Sequence, residues 1–264
     1  MPQLIVTADD CGLSEGINLA TVELYKGGYI TAASIMSNFP AHEHAFELFR
    51  KYPNLEIGAH LTLTDGEPAT DDIPKYSPII NSDQTFRNKF NMFSRLLIPS
   101  DETIVWLRHE LDAQLRRFVD ADIHPQHITT HHHFHTIPAL RKIIYELAVR
   151  YEVKWVRAHE FRAAITPYNL IPSPQQLAGA FPFEIPMYLS PLKPWANRSA
   201  GEYAQRLVEF DGVIEIIVHP GIPYDETFPE DVEYGPQSRY VEHTFLVEMV
   251  DLLRQLQSQT VGTT

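Results

Sequence analysis

The amino-acid sequence predicts an α/β fold in which helices connect the strands of a parallel sheet. Short apolar runs, typical of buried strands, alternate with amphipathic helical segments along the 264 residues. Neither a change in composition nor an internal repeat divides the chain, so we expect a single domain over residues 1–257. Polar side chains follow one strand after another. This pattern favours a (β/α) barrel, in which the strand ends converge on one face.

The first half of the chain begins with a short apolar strand that ends at two carboxylates, Asp9 and Asp10. Gly12 then allows a sharp turn, and Ser14 can cap the first helix. The connection at 64–100 is too long for a simple loop, which indicates a functional role. The elements expected here are strands at 4–6, 30–36 and 55–63 and helices at 15–26, 41–52, 90–97 and 103–119.

The second half contains a run of histidines, His131-His-His-Phe-His135, directly after a short strand. Pro138 can begin a helix, and Pro220-Gly221 turns the chain away after the last strand. The stretch 163–197 holds seven prolines and follows no assignable pattern. We expect strands at 127–130, 153–157 and 213–218, helices at 138–150, 201–210 and 239–255, and a disordered tail at 258–264.

Composition and charge limit the class of function. A net charge of −13 argues against nucleic acid and anionic membranes as partners, and it favours a neutral or cationic substrate. The single cysteine, Cys11, excludes an internal disulfide and a cysteine-based zinc site. The chain begins directly with a strand and has no stretch of about 18 apolar residues, so we expect a soluble, cytoplasmic protein.

The polar residues at the strand ends favour a metal site. Adjacent carboxylates such as Asp9 and Asp10 repel each other, and either a bound cation or a proton on one of them relieves the repulsion. One carboxylate with two imidazoles, from Asp10, His60 and the run 131–135, suits Zn, Co, Ni, Fe or Mn better than Mg. The alternatives are that Asp9 and Asp10 form an acidic turn with Asp10 as a helix cap, that His60 has a structural role, and that the histidine run is a solvated loop.

We expect the histidine run to be extended, with side chains that alternate. His131, His133 and His135 then share one side, and His132 faces the other. Any of the three that share a side can supply the second imidazole, and the others can contact the metal ligands or the substrate.

Five segments of the sequence occur in a characteristic order: TADDCGLSEG, IGAHLTLTDGEP, THHHFHTIP, VHPG and YGPQSRYVE. Together they resemble the YdjC-like carbohydrate deacetylases, a family that includes chitooligosaccharide deacetylases and hopanoid-biosynthesis relatives. The resemblance covers nearly the whole chain and implies a distorted (β/α) barrel of the glycoside hydrolase/deacetylase type. It also implies one divalent ion held by Asp10, His60 and His131, with Asp9 as general base and His219 as general acid.

The implied reaction is the hydrolysis of an N-acetyl group on an amino sugar or a short oligosaccharide. The ion, with Zn, Mg, Co, Mn and Ni all open, would activate water and polarise the carbonyl. Asp9 would accept the water's proton, and His219 would protonate the leaving amine. Arg157 could orient Asp9 by pairing with it, or it could form an ordinary surface salt bridge. We expect an N-acetylated sugar as the partner, and a homodimer is left open.

Other parts of the chain bear on the substrate. Tyr224 is a candidate for stacking on a sugar, whereas Trp155 is better explained as a core residue. We expect 64–100 and 163–197 to form the walls of the pocket and to set the substrate length. Cys11 stands where the family usually has phenylalanine, and 163–197 matches no pattern of the family, so the sugar is left undetermined.

Two other functions fit part of this pattern. A metal-dependent hydrolase of another amide or of a phosphoester could use the same barrel, but a phosphoesterase should offer several cations near the site, and Arg157 is the only one that we find. A non-catalytic sugar- or metal-binding protein would be expected to lose Asp9 or His219 while keeping the metal ligands. The sequence retains both residues, which favours an enzyme.

Overall fold

Parallel strands form one sheet at the centre of the protein. The computed structural model describes residues 3–73, 77–157, 182, 187–189, 199–209, 213–229 and 234–261. The strands in these ranges are β1 (Gln3–Cys11), β2 (Ala32–Ile35), β3 (Glu56–Leu61), β4 (His127–Thr130), β5 (Trp155–Val156), β6 (Met187–Leu189) and β7 (Val213–Val218). Each neighbouring pair is parallel, in the order β5-β4-β3-β2-β1-β7-β6. The predicted α/β class is confirmed.

The sheet curls into an open half-barrel. In a flat sheet, β5 and β7 would lie about 24 Å apart, because five steps of roughly 4.8 Å separate them. Arg157, directly after β5, nevertheless reaches Glu215 in the middle of β7, with 2.7 Å between Nη2 and Oε1. The predicted distorted barrel is therefore confirmed, in the form of an open half-barrel. A closed barrel of the TIM type is not formed by the described strands, since β5 and β6 are the two edges of their sheet.

Helices cover the sheet and connect its strands. Their bounds are α1 (Glu15–Lys26), α2 (His42–Phe49), α3 (Lys89–Arg95), α4 (Asp101–Asp120), α5 (Pro138–Arg150), α6 (Ala200–Val208) and α7 (Pro236–Val261). Helix α7 continues past residue 258, where we expected a disordered tail to begin, and 262–264 lie outside the described residues. Most of 163–197 lies outside them too, apart from residue 182 and β6. None of the helices in the described ranges has the length and apolar character needed to cross a membrane.

Buried polar side chains of α4 anchor the connection that follows β3. Glu110 accepts hydrogen bonds from the backbone N–H groups of Ala69 (2.8 Å) and Thr70 (3.0 Å). Gln114 accepts from the backbone N–H of Thr62 (2.9 Å) and donates to its carbonyl oxygen (2.7 Å). Farther along, the same connection buries Ile79, Ile80, Phe86, Met92 and Leu96. The loop is therefore a packed part of the domain, fixed beside the ends of the strands.

The histidine run does not have the extended conformation that the sequence predicted. Residues His131–Thr136 form a short 3₁₀ helix, in which His132 (φ 52°) and His133 (φ 54°) have left-handed backbone conformations. These two residues turn the chain sharply, so its side chains no longer alternate between two sides. The predicted separation of His131 from His132 is therefore wrong, because their ring centroids lie only 3.9 Å apart.

Candidate active site

The carboxyl end of β1 carries two buried carboxylates, Asp9 and Asp10. Asp10 (φ 61°) and Gly12 (φ 89°) both have left-handed backbone conformations. A side chain at Gly12 would place its Cβ 2.8 Å from the Met36 carbonyl oxygen, so this turn requires glycine. The turn brings both carboxylates to one imidazole, His60, whose Nδ1 lies 3.7 Å from Asp9 Oδ1 and whose Nε2 lies 3.2 Å from Asp10 Oδ1.

Asp10, His60 and His131 converge around a common point. Asp10 Oδ1 lies 3.2 Å from His60 Nε2 and 3.0 Å from His131 Nδ1, and one ligand atom from each residue lies within 4.8 Å of the other two. Within the described ranges, Asp10 Oδ1 is buried but has no well-oriented hydrogen bond. A carboxylate oxygen and two imidazole nitrogens are the donors that Zn, Co, Ni and Mn accept. These residues therefore fit a divalent ion.

The environment of His60 sets its tautomer. His60 Nδ1 lies 2.7 Å from Thr129 Oγ1, and the Thr129 hydroxyl donates to the carbonyl oxygen of Ala59 at 3.4 Å. The Thr129 oxygen is therefore free to accept a hydrogen bond from the Nδ1–H group, which leaves the lone pair of Nε2 directed toward Asp10. Burial lowers the pKa of His60 despite the two nearby carboxylates, so the imidazole is held neutral, as a metal ligand must be.

His131 has carboxylates on both sides of its ring. Its Nδ1 lies against Asp10, and its Nε2 lies 3.5 Å from Oδ2 of Asp65, a residue that sequence reasoning missed. Burial alone would lower the pKa of His131, but Asp10 and Asp65 raise it to about 9. The negative charge that favours a proton here also favours a cation. The neighbouring His132 also approaches Asp65, at 3.7 Å, and hydrogen-bonds Thr64 Oγ1 at 2.9 Å.

Asp9 is held by a buried arginine that also binds a second carboxylate. Arg157 donates to both oxygens of Asp9, at 2.6 and 2.9 Å, and to Glu215 through Nε and Nη2. Burial raises the pKa of Asp9, but the positive charge and hydrogen bonds of Arg157, together with the nearby His60 and His219, outweigh this effect and hold the pKa well below its usual value. The predicted pairing of Arg157 with Asp9 is confirmed. The alternative of a surface salt bridge is wrong, because both side chains are buried.

His219 is paired with a carboxylate that the sequence analysis did not identify. Its backbone N–H donates to Glu242 Oε1 at 2.9 Å, and its Nδ1 lies 3.2 Å from the same oxygen. The hydroxyl of Tyr234 donates to the other oxygen of Glu242 at 2.6 Å. Burial alone would lower the pKa of His219, but the Glu242 carboxylate raises it above its usual value. With Nδ1–H directed to Glu242, Nε2 is the ring nitrogen that does not contact this carboxylate.

Helix α7 supplies a second arginine to the site. Arg239 Nη2 donates to Asp10 Oδ2 at 2.7 Å, so the expectation that Arg157 is the only cation near the site is wrong. The pattern of polar residues at strand ends does not identify Arg239, Tyr234 and Glu242, because these residues lie at or near the start of a helix. All three belong to the segment YGPQSRYVE, and its place in the family resemblance was the signal that could have identified them.

Two further histidines of the run differ in their surroundings. Burial, and then the positive charge of Arg157, lower the pKa of His133 to about 3. His135 is buried, and its Nδ1 hydrogen-bonds the Thr130 hydroxyl next to the strand end. Contact of either residue with a metal ligand or a substrate stays a prediction.

The remaining candidates are divided between surface and core. Tyr224 is 77% exposed, so it is accessible to a substrate, but its role stays a prediction. Trp155 stacks on His127 with 4.2 Å between ring centroids, which confirms its place in the core. Cys11 is buried against Thr21, and burial raises the pKa of the Cys11 thiol to about 12, so it is not a nucleophile near neutral pH.

Comparison with proteins of known sequence gives relatives that share one name. A carbohydrate deacetylase of Halalkalibacterium halodurans is 36% identical over 153 residues, and one of Brevibacillus brevis is 39% identical over 152 residues. Each alignment covers 57% of this chain, and the matched part spans 62% and 57% of the respective relative's length. A carbohydrate deacetylase of Listeria monocytogenes is 29% identical over 236 residues, covering 88% of this chain and 86% of the relative.

The fold also has a solved counterpart. A crystal structure from Enterococcus faecalis V583, provisionally described as a cellobiose-phosphate cleavage protein, superposes with a TM-score of 0.77. It covers 96% of this chain and 94% of its own, at 23% sequence identity, which shows the shared fold. The family described as YdjC-like protein matches residues 3–252, nearly the whole chain. This protein therefore belongs to the YdjC-like family.

Proposed function

We propose that the protein is a metal-dependent hydrolase that removes the N-acetyl group of an acetylated amino sugar or short oligosaccharide. One observation carries this proposal: a carboxylate and two imidazoles converge beside a buried carboxylate and a carboxylate-paired histidine. The residues concerned are Asp10, His60, His131, Asp9 and His219. Each group that amide hydrolysis requires therefore has a candidate in one place.

Asp10, His60 and His131 would hold one divalent ion. Such an ion supplies positive charge that makes water more acidic and polarises the acetyl carbonyl. Two imidazole donors favour Zn, Co, Ni or Mn over Mg, which prefers oxygen ligands. The contact between His60 and Thr129 supports this role, because it holds the imidazole in the tautomer with a free Nε2.

Asp9 would accept the proton of the attacking water. Arg157 keeps Asp9 ionised and fixes its orientation through two hydrogen bonds, and each carboxylate oxygen retains a further lone pair for that proton. Arg157 is in turn held by Glu215, deep in the half-barrel. Arg157 and Glu215 would therefore act through Asp9, as positioning residues.

His219 would donate the proton that the leaving amine needs. Glu242 raises the pKa of His219, so a larger share of the imidazole is protonated near neutral pH. With Nδ1–H on Glu242, the proton of Nε2 is the one available to the amine nitrogen. Tyr234 also donates to Glu242 and would help to fix its orientation.

The names of the relatives support the substrate class, since the three described above are carbohydrate deacetylases. Both arginines at the site are engaged with carboxylates, which favours an uncharged amide over a phosphoester. We further propose that His133, His135 and the exposed Tyr224 contact the ligands or the sugar. The connection at 64–100, which carries Asp65 beside His131, would form one wall of the pocket.

The test is a substrate screen. Purified protein is incubated with Zn, Co, Ni, Mn or Mg and with N-acetylglucosamine, its dimer or their phosphate esters, and acetate and inorganic phosphate are both measured. We expect acetate release that depends on the metal and disappears in Asp9→Asn. Phosphate release without acetate would favour the phosphoesterase alternative. No product from any pair of metal and substrate would contradict the proposed function.

A further inference from the structure

The two oxygens of Asp10 have separate partners. Oδ1 lies between the imidazole nitrogens of His60 and His131, at 3.2 and 3.0 Å, and within the described ranges it has no well-oriented hydrogen bond. Oδ2 instead accepts a hydrogen bond from Arg239 Nη2 at 2.7 Å. Both side chains are buried, so water does not weaken this charge-assisted bond. A single carboxylate is thus divided between a candidate ion site and a guanidinium.

The Arg239 side chain is fixed by contacts on several sides. Its Nε donates to the carbonyl oxygen of Tyr234 at 2.7 Å. Its guanidinium carbon lies 5.4 Å from the ring centre of Phe228 and 5.3 Å from that of Tyr234, within the range of cation–π contacts. A Cβ added at Gly221 would lie 2.6 Å from Arg239 Cβ, which shows how closely the backbone packs there. The guanidinium therefore cannot leave Asp10 without movement of its neighbours.

The loop that carries Phe228 is itself tied to the start of α1. The Ser14 hydroxyl donates to Asp225 Oδ2 at 2.6 Å, and the hydroxyl of Thr227 accepts from the backbone of the same helix start at 3.0 Å. The backbone N–H of Phe228 then donates to the carbonyl oxygen of Asp225 at 3.3 Å. These contacts hold the Phe228 ring over Arg239 and so stabilise the guanidinium where it meets Asp10.

We propose that Arg239 is a positioning residue that restricts Asp10 to binding the ion through Oδ1 alone. A carboxylate can bind an ion through one oxygen or both, and binding through both would use an additional coordination position. Catalytic metal sites need open positions for water and substrate. By occupying Oδ2, Arg239 would keep such a position open. This inference rests on the proposed function, because it assumes that the three ligands hold an ion.

The direct test uses the unmodified protein loaded with Zn or Co. X-ray absorption or a crystal structure should show one Asp10 oxygen at about 2.0–2.2 Å from the ion, with the other still hydrogen-bonded to Arg239. Two Asp10 oxygens at bonding distance would overturn the inference and leave the proposed function intact. Failure of the protein to bind any divalent ion would instead contradict the proposed function itself.

A variant adds a readout that a merely structural arginine would not produce. Arg239→Met removes a positive charge near the ion, so we expect binding of Zn to tighten by roughly tenfold or more in calorimetry, while kcat falls about tenfold or more. Weaker binding together with a lower Tm would mean that Arg239 only supports the fold, and would overturn the inference. Arg254→Met is the matched control. Like Arg239, Arg254 lies on α7 and contacts a tyrosine ring, but its side chain is at the surface. If Arg239→Met does not fold, the measurement on the unmodified protein decides.

Discussion

Replacing Glu242 by glutamine should move the alkaline limit of activity to lower pH. The substitution keeps the size of the side chain and removes the negative charge 3.2 Å from His219 Nδ1. Charges about 4 Å apart interact by about 4 kcal/mol at an effective dielectric of about 20. The His219 side chain is 26% exposed, so we reduce this to roughly 1.5–2.5 kcal/mol. The pKa of His219 should therefore fall, and kcat/KM at a pH above the alkaline limit should drop by roughly ten- to seventyfold.

The assay compares pH profiles of kcat/KM for an N-acetyl substrate. Because His219 must be protonated to act as the acid, the alkaline limb of Glu242→Gln should lie at lower pH than that of the unmodified protein. An activated ester, whose leaving group needs no proton, should show a much smaller change. Glu248→Gln removes an exposed carboxylate from the same helix and should leave the profile unchanged. An alkaline limb that coincides in Glu242→Gln and the unmodified protein would refute the assignment of His219 as the acid.

The same pair should contribute to stability in a defined pH range. The pKa of His219 is higher in the folded protein than in the unfolded chain, so protonation stabilises the fold. The contribution is fully present below about pH 6.5 and is lost as the pH rises through the folded pKa. Thermal unfolding should therefore show a larger loss of Tm in Glu242→Gln at pH 6 than at pH 9, and an equal loss at both values would contradict this reasoning.

Three further predictions concern the metal ligands, the base and the loop. Asp10→Ala or His60→Ala should remove the metal while the circular dichroism spectrum stays unchanged. Full metal content in both variants would contradict the assignment of Asp10 and His60 as ligands. Asp9→Asn should retain the metal but lose about 10²–10⁴-fold in activity, because an amide cannot accept the proton; activity within about tenfold of the unmodified protein would exclude Asp9 as the base. Glu110→Ala removes the acceptor for two backbone N–H groups and should speed proteolysis within 64–73. Unchanged cleavage there would mean that other contacts hold the loop.

The fold and the polar strand ends could be predicted because both follow from short-range patterns. Asp9, Asp10, His60 and His219 were identified as neighbours since the carboxyl ends of parallel strands meet at one edge of a sheet. The prediction that these residues lie close together did not depend on the exact curvature of the sheet. The bounds predicted for α1, β4, α5 and β7 agree with the structure for a similar reason, as apolar periodicity and end signals coincide there.

Long-range partners could not be predicted in the same way. Glu215 lies within the apolar strand VIEIIV, and its charge is balanced by Arg157, 58 positions earlier in the chain. A single carboxylate in a buried strand indicates a partner but does not identify it. The left-handed backbone of His132 and His133 could not be predicted from the sequence, because such conformations are uncommon outside glycine, even for histidine. The contact of Arg239 with Asp10 depends on how α7 packs.

The most direct test of the central claim is a metal titration coupled to product formation. Chelator-treated protein is titrated with Zn or Co while acetate release from the substrate identified in the screen is followed. We expect no release before metal is added, a linear rise up to one equivalent and no further rise beyond it. A rise that continues to two equivalents would contradict a single ion at Asp10, His60 and His131 and would indicate a second ion at Asp65, His131 and His132. Full acetate release by the metal-free protein would contradict the claim of metal dependence.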